Sequence, residues 1–237
     1  MARLDLAGAI GAALSGCALG APIVQDFETF ALGSSAQDGW SDTTLSSIVS
    51  SGIAGFGDRS LQLSGSAIFS AGSVSPTLVS PVYGIFAFDV VMGEGGGFMQ
   101  TANTGAGLIN GRMFFTGGEI LVLNASSSFD VIGSYTEGQV FRVGIELVDA
   151  VTDFMNYYLD GVLVDTGNAF GQGGLNRASF GLWNGDLEGG DPAAGMMTID
   201  NINGDLTTGG VVVIPLPTPM ALASAGLVGA LGLRRRR

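Results

Sequence analysis

Between residues 24 and 202 the apolar side chains come in short β-branched and aromatic runs cut by Gly, Ser, Asn and Asp, with no heptads and no sustained three-four spacing. Such a pattern gives a helix no continuous face to bury. Short strands can use it, because alternate side chains on a strand point to opposite faces. The runs predict strands over residues 24–30, 45–49, 60–63, 82–92, 113–116, 119–123, 129–132, 140–148, 154–159, 162–165, 178–183 and 196–202. Many short strands without helices imply an all-β fold, an antiparallel two-sheet β-sandwich or jelly roll. The sharpest local signal is Tyr157-Tyr158-Leu159-Asp160-Gly161-Val162-Leu163-Val164, where Asp-Gly between two apolar runs marks a two-residue hairpin turn. The Gly-rich stretch 93–97 reads as a loop. It is no phosphate cradle, since no Gly-x-Gly-x-x-Gly opens a helix.

Composition narrows the chemistry. The 237 residues include no His, no Lys and one Cys. These absences remove Ser-His and Cys-His nucleophile pairs, His-ligated and multi-Cys metal sites, Schiff-base chemistry and a Walker-type lysine. The formal net charge is -12, yet residues 22–206 carry 20 acidic residues against 4 Arg, a net charge of -16 for the body of the chain. That surface repels nucleic acid and other anions and attracts divalent cations. Carboxylates are the acid-base groups that remain. No strand projects two of them on one face, and Glu146-Leu147-Val148-Asp149 has the wrong spacing to do so. The expectation is therefore a protein that is not an enzyme.

Both ends read as addresses. Arg3, the Ala/Gly/Leu/Ile-rich stretch to Leu19 and the small-residue run Ala18-Leu19-Gly20-Ala21 have the layout of a secretory signal peptide, residues 1–21. Within it, Leu14-Ser15-Gly16-Cys17 resembles the lipobox at which bacterial lipoproteins are cut and lipidated. Residues 207–237 form a linker and tail. Ile214-Pro215-Leu216-Pro217-Thr218-Pro219 forces an extended segment, 220–233 is an apolar stretch expected as a transmembrane helix, and Arg234, Arg235, Arg236 and Arg237 would hold its end on the cytoplasmic side. About 20 apolar residues are needed for a permanent span, so this shorter run suits a temporary anchor. The order of Pro motif, helix and terminal Arg cluster resembles the PEP-CTERM sorting signal, with Leu or Thr where that family usually carries Glu. The resemblance implies an exosortase-type processing enzyme as partner, export, transient membrane anchoring and a final place at the cell surface or outside the cell.

The body, residues 22–206, resembles concanavalin A-like sandwiches of the laminin-G kind in three places. These are the strand 140–148 followed by the Asp160-Gly161 hairpin, the opening Gln25-Asp26-Phe27-Glu28-Thr29-Phe30 with Gly39-Trp40, and the closing Thr198-Ile199-Asp200-Asn201-Ile202. The resemblance implies that the first and last strands are neighbours, and that Asp26 and Glu28 with Asp200 could clasp a structural Ca2+. A second calcium candidate is the run Asn184 to Asp191, in which Asp186, Glu188 and Asp191 supply oxygen ligands between glycines, without the spacing of an EF-hand loop. Concanavalin A-like glucanases typically carry an alternating Glu-x-Asp-x-Glu strand, and this chain has none. For sugar binding, ring faces that stack on a pyranose are expected at Trp183, Tyr157, Trp40 and Tyr158. Together these features predict an exported cell-envelope or extracellular-matrix protein that binds neutral polysaccharide with the help of calcium. The alternatives are a structural matrix or surface-layer component without a specific ligand, and a divergent glucan hydrolase.

Overall fold

The computed structural model describes residues 23–66, 69–74, 84–103, 108–124, 126–148, 154–168, 175–183 and 194–205. The expected signal peptide, the acidic run 184–191 and the tail from residue 207 lie outside the described residues. In chain order the strands are β1 (Ile23–Gln25), β2 (Ser46–Ser50), β3 (Arg59–Ser66), β4 (Phe69–Val74) and β5 (Gly84–Met92). Next come β6 (Gly96–Asn103), β7 (Leu108–Thr116), β8 (Glu119–Leu123), β9 (Phe129–Ser134) and β10 (Val140–Leu147). The last four are β11 (Phe154–Leu159), β12 (Val162–Asn168), β13 (Arg177–Trp183) and β14 (Ala194–Asp205). Among the described residues no helix is long and apolar enough to cross a membrane.

Two antiparallel sheets result, as the strand pattern implies. One has eight strands in the order β12-β11-β10-β5-β14-β3-β2, with β1 paired to β14, and the other has six in the order β4-β13-β6-β7-β8-β9. Alternation sorts the side chains between faces. Phe86, Phe88, Val90 and Met92 of β5 enter the main core, while Ile85 and Ala87 form a separate cluster under Tyr158 on the outer face of the eight-stranded sheet. From the other sheet Met99, Met113, Phe115, Phe180 and Leu182 meet them. Phe180 sits where the sheets touch, with ring centroids 5.0 Å from Phe88, 6.2 Å from Phe86 and 6.3 Å from Trp40. Trp40 in turn lies edge-on to Phe27 at 5.3 Å.

The Asp160-Gly161 turn has both residues at positive φ, 48° and 80°, which is the backbone a two-residue hairpin of this kind requires. Two strands were not expected, β4 and β6. β6 begins inside the Gly-rich stretch that the sequence suggests is a loop, and the reason is close packing rather than flexibility. Gly96 pairs with Trp183, and a Cβ there would meet the backbone carbonyls of both Trp183 and Phe115. The expected first strand stops at Gln25, because Phe27 adopts a left-handed φ of 58° that turns its ring into the core.

Phe180 is fully buried and its loss opens space on both sheets. Phe180→Ala is expected to cost about 3–5 kcal/mol, read as a lower midpoint in urea unfolding with an unchanged slope.

Candidate functional site

The first and last strands are neighbours: β1 pairs with β14, Gln25 opposite Ile202. The pairing brings Asp26 and Glu28 into the electrostatic neighbourhood of Asp200. Asp26 Oδ1 accepts from the Glu28 N–H at 3.2 Å, and Glu28 Oε1 accepts from the Arg59 N–H at 3.0 Å. The Arg59 guanidinium donates to the carbonyls of Glu28 and Phe30. Asp200 is fully buried; Oδ2 accepts from the Gly57 N–H at 2.9 Å and Oδ1 from the Asn201 N–H at 2.8 Å. Burial pushes the Asp200 carboxyl up to about 7, the two N–H groups oppose that shift, and the charges of Glu28 and Asp26 add to it. Among the described residues no three Asp, Glu, His or Cys side chains converge to hold a metal ion. The acids here share a field, while their named hydrogen bonds all run to backbone N–H groups.

Beside this junction the outer face of the eight-stranded sheet carries the one ion pair between described side chains. Arg142 Nη1 lies 2.8 Å from Asp89 Oδ1, both side chains being almost wholly buried. A register shift in β14 puts Asn201 at a φ of 50°, and its amide then donates to Asp89 Oδ2 at 2.8 Å and to the Gly55 carbonyl. The pair is structural: Arg142 Nη1 donates to Asp89 and to the Asn201 carbonyl, while the buried Arg142 Nε has no hydrogen-bond partner among the described residues.

The expected sugar platforms divide. Trp40 and Tyr157 are members of the core between the sheets, 5% and 3% exposed, so neither can stack on a sugar; alternation along β11 sends Tyr157 inward, and the turn closed by the Trp40 N–H on the Gln37 carbonyl leads Trp40 onto Phe27 and Phe180. Trp183 lies on the outer face of the six-stranded sheet, yet at 7% exposed it is buried among Phe98 and Phe114, its ring 4.6 Å from Phe114 and stacked at 6.4 Å on Phe129, so it too has no free face for a sugar. Arg112 on the same sheet donates to Gln100 Oε1 from Nε and Nη2 at 3.1 and 2.8 Å. Tyr158, on the outer face of the eight-stranded sheet, is only partly buried.

A cleft of about 540 Å³ opens at the end of the sandwich, lined by Gly93, Glu94, Glu137, Gly138, Gly195 and Met196. Three backbone hydrogen bonds tie its walls: Gly93 N–H to the Met196 carbonyl, Met196 N–H to the Glu94 carbonyl, and Gly138 N–H to the Met92 carbonyl. The turn after β5 supplies Glu94 and the turn before β10 supplies Glu137, both exposed. Through Gly96, which pairs with Trp183, the cleft adjoins the end of β13. Sequence reasoning missed this pair of carboxylates because it sought acids alternating along a strand. These two come from different turns and line one cleft only through the fold.

No protein-family profile and no curated protein matches this sequence. Solved structures do match in fold. A β-glucanase of Bacillus licheniformis aligns with a TM-score of 0.51 and 12% identity, over 78% of this chain and 98% of the glucanase. An alginate lyase in complex with an alginate tetrasaccharide aligns with a TM-score of 0.52 and 16% identity, over 82% of this chain and all of the lyase. A sialidase aligns with a TM-score of 0.55 and 14% identity over 70% of this chain, which spans only 17% of the sialidase's length. The chain thus shares the two-sheet jelly-roll sandwich fold of these structures. This corrects the expectation that the chain is not an enzyme, because structures that share its fold include a glucanase and an alginate lyase. Lacking His and Lys removes triads and Schiff bases, but glycoside hydrolysis needs only two carboxylates.

The raised Asp200 carboxyl has a consequence for stability. In the unfolded chain it loses its proton near 3.8, in the folded chain near 7, so the folded state binds more protons between those values and stability falls as pH rises through that window. Melting temperatures of the metal-free protein between pH 4 and 8 are expected to show that fall, and D200N is expected to flatten it.

Proposed function

We propose that this protein is an exported carbohydrate-active sandwich that engages neutral polysaccharide in the cleft of Glu94 and Glu137. The observation that carries the reading is that two carboxylates line one open cleft of about 540 Å³. The likeness of the fold to a glucanase and an alginate lyase supports the carbohydrate class. Charge selects within that class. A body of net charge -16 repels alginate and other uronate chains, whereas neutral glucan hydroxyls can donate to the exposed carboxylates. The same two acids are the groups from which hydrolysis would draw a general acid and a base, with water as the second reactant.

Two further elements of the reading rest on sequence. The Pro motif 214–219, the apolar stretch 220–233 and Arg234 to Arg237 direct exosortase-type sorting, with removal of the tail after export. Calcium binds the acidic run 184–191 through Asp186, Glu188 and Asp191.

Purified protein is expected to bind β-glucan more tightly than alginate in affinity electrophoresis. The E94Q/E137Q double variant is expected to lose at least ten-fold in glucan affinity at an unchanged melting temperature, and any release of reducing sugar from glucan disappears with it. Equal retention of both polysaccharides by parent and variant overturns the reading. A chelator is expected to lower the melting temperature, and an unchanged melt removes calcium from it.

A further inference from the structure

The outer face of the eight-stranded sheet carries a feature separate from the cleft. Glu146 of β10 is in register with Asn156 of β11, and Asn156 with Thr166 of β12. The three side chains form a straight row across three strands. Thr166 Oγ1 donates to Asn156 Oδ1 at 2.8 Å, and Asn156 Nδ2 donates to Glu146 Oε2 at 2.9 Å. Next to this row runs a second one, Gly144, Tyr158 and Leu163, again in register. The Tyr158 hydroxyl links the rows by donating to Glu146 Oε2 at 2.6 Å. Leu163 is 51% exposed, and Phe154, farther along the same face of β11, is 40% exposed.

We propose that these two rows form a second carbohydrate-binding track, for a short stretch of neutral β-linked glucan lying across β10, β11 and β12. Strands lie about 4.8 Å apart, so the rows are about 10 Å long, the scale of a short oligosaccharide. A pyranose presents an apolar C–H face and a rim of hydroxyls, and the track offers both complements in parallel. Tyr158 and Leu163 meet the C–H face, and Gly144, having no side chain, lets the Tyr158 ring lie across β10 onto Ile85 and Ala87 of β5. Glu146, Asn156 and Thr166 meet the hydroxyls.

The track is held ready before a ligand arrives. Tyr158 lies on Ile85 and Ala87, which fixes its ring on the sheet. Burial, together with its hydrogen bond to the Glu146 carboxylate and that group's charge, pushes the Tyr158 hydroxyl up to about 12, so it stays a donor across the physiological range. The hydrogen-bonded chain from Thr166 to Glu146 sets the polar side chains in one orientation, which lowers the ordering cost of binding. An anionic chain is excluded, since Glu146 is the only charge in the two rows.

The proposal rests on the carbohydrate reading above but not on the cleft. Its test is calorimetric titration of the full chain with cellohexaose and laminarihexaose. N156A and L163S, both at solvent-facing positions, are expected to weaken binding of one of these hexasaccharides at least five-fold, with unchanged melting temperatures. Y158F is expected to weaken it less, since the ring remains. E94Q/E137Q is expected to leave this component in place. Hexasaccharide binding that disappears with E94Q/E137Q but is untouched by N156A and L163S overturns the track and leaves the cleft reading standing. Absence of any binding to the parent protein overturns both.

Discussion

Ring contacts at the meeting of the two sheets organise the rest of the molecule. Phe180 reaches from β13 into the rings of Phe86 and Phe88, and Trp40 carries the contact on to Phe27 and thereby to the first residues of the body. No disulfide is available, since the chain has one Cys. Dispersion and burial across this layer must hold the sheets together, each aromatic pair adding about 0.5–1.5 kcal/mol beyond the area it removes from water. The outer faces inherit their geometry from this layer. When Tyr157 and Met155 point inward, Tyr158 and Asn156 must point outward, and both rows of the proposed track follow.

The strands most legible in the sequence were those whose neighbours differ in polarity. β8, β10, β11 and the Asp160-Gly161 hairpin were readable because β-branched and aromatic runs end at residues that turn. β6 was not, because its glycines look like a loop when their cause lies in chain segments far away, the carbonyls of Trp183 and Phe115. β4, Phe69–Val74, has too few large side chains to register as a run. The pairing of first and last strands was foreseen and is present, and it brings Asp26, Glu28 and Asp200 near one another.

The candidate sites were less legible, for a physical reason. An aromatic residue on a strand is equally suited to either face, and composition does not say which. Tyr157 is expected at the surface and is core, whereas Tyr158, one position on, lies on the outer face; Trp40, in the loop before β2, is core through its contacts with Phe27 and Phe180. Glu94 and Glu137 come from separate turns, and Glu146, Asn156 and Thr166 align only through strand register. Such groupings have no local signature. They belong to the topology.

The buried Arg142–Asp89 pair also bears on how the protein responds to salt. It withdraws one of the body's 4 Arg from solvent on the outer face of the eight-stranded sheet, where added salt screens it little, and leaves at least 16 of the 20 acids without an arginine to pair with. Added salt therefore finds few exposed attractions to weaken and many repulsions to screen. The folded chain is expected to gain stability as ionic strength rises.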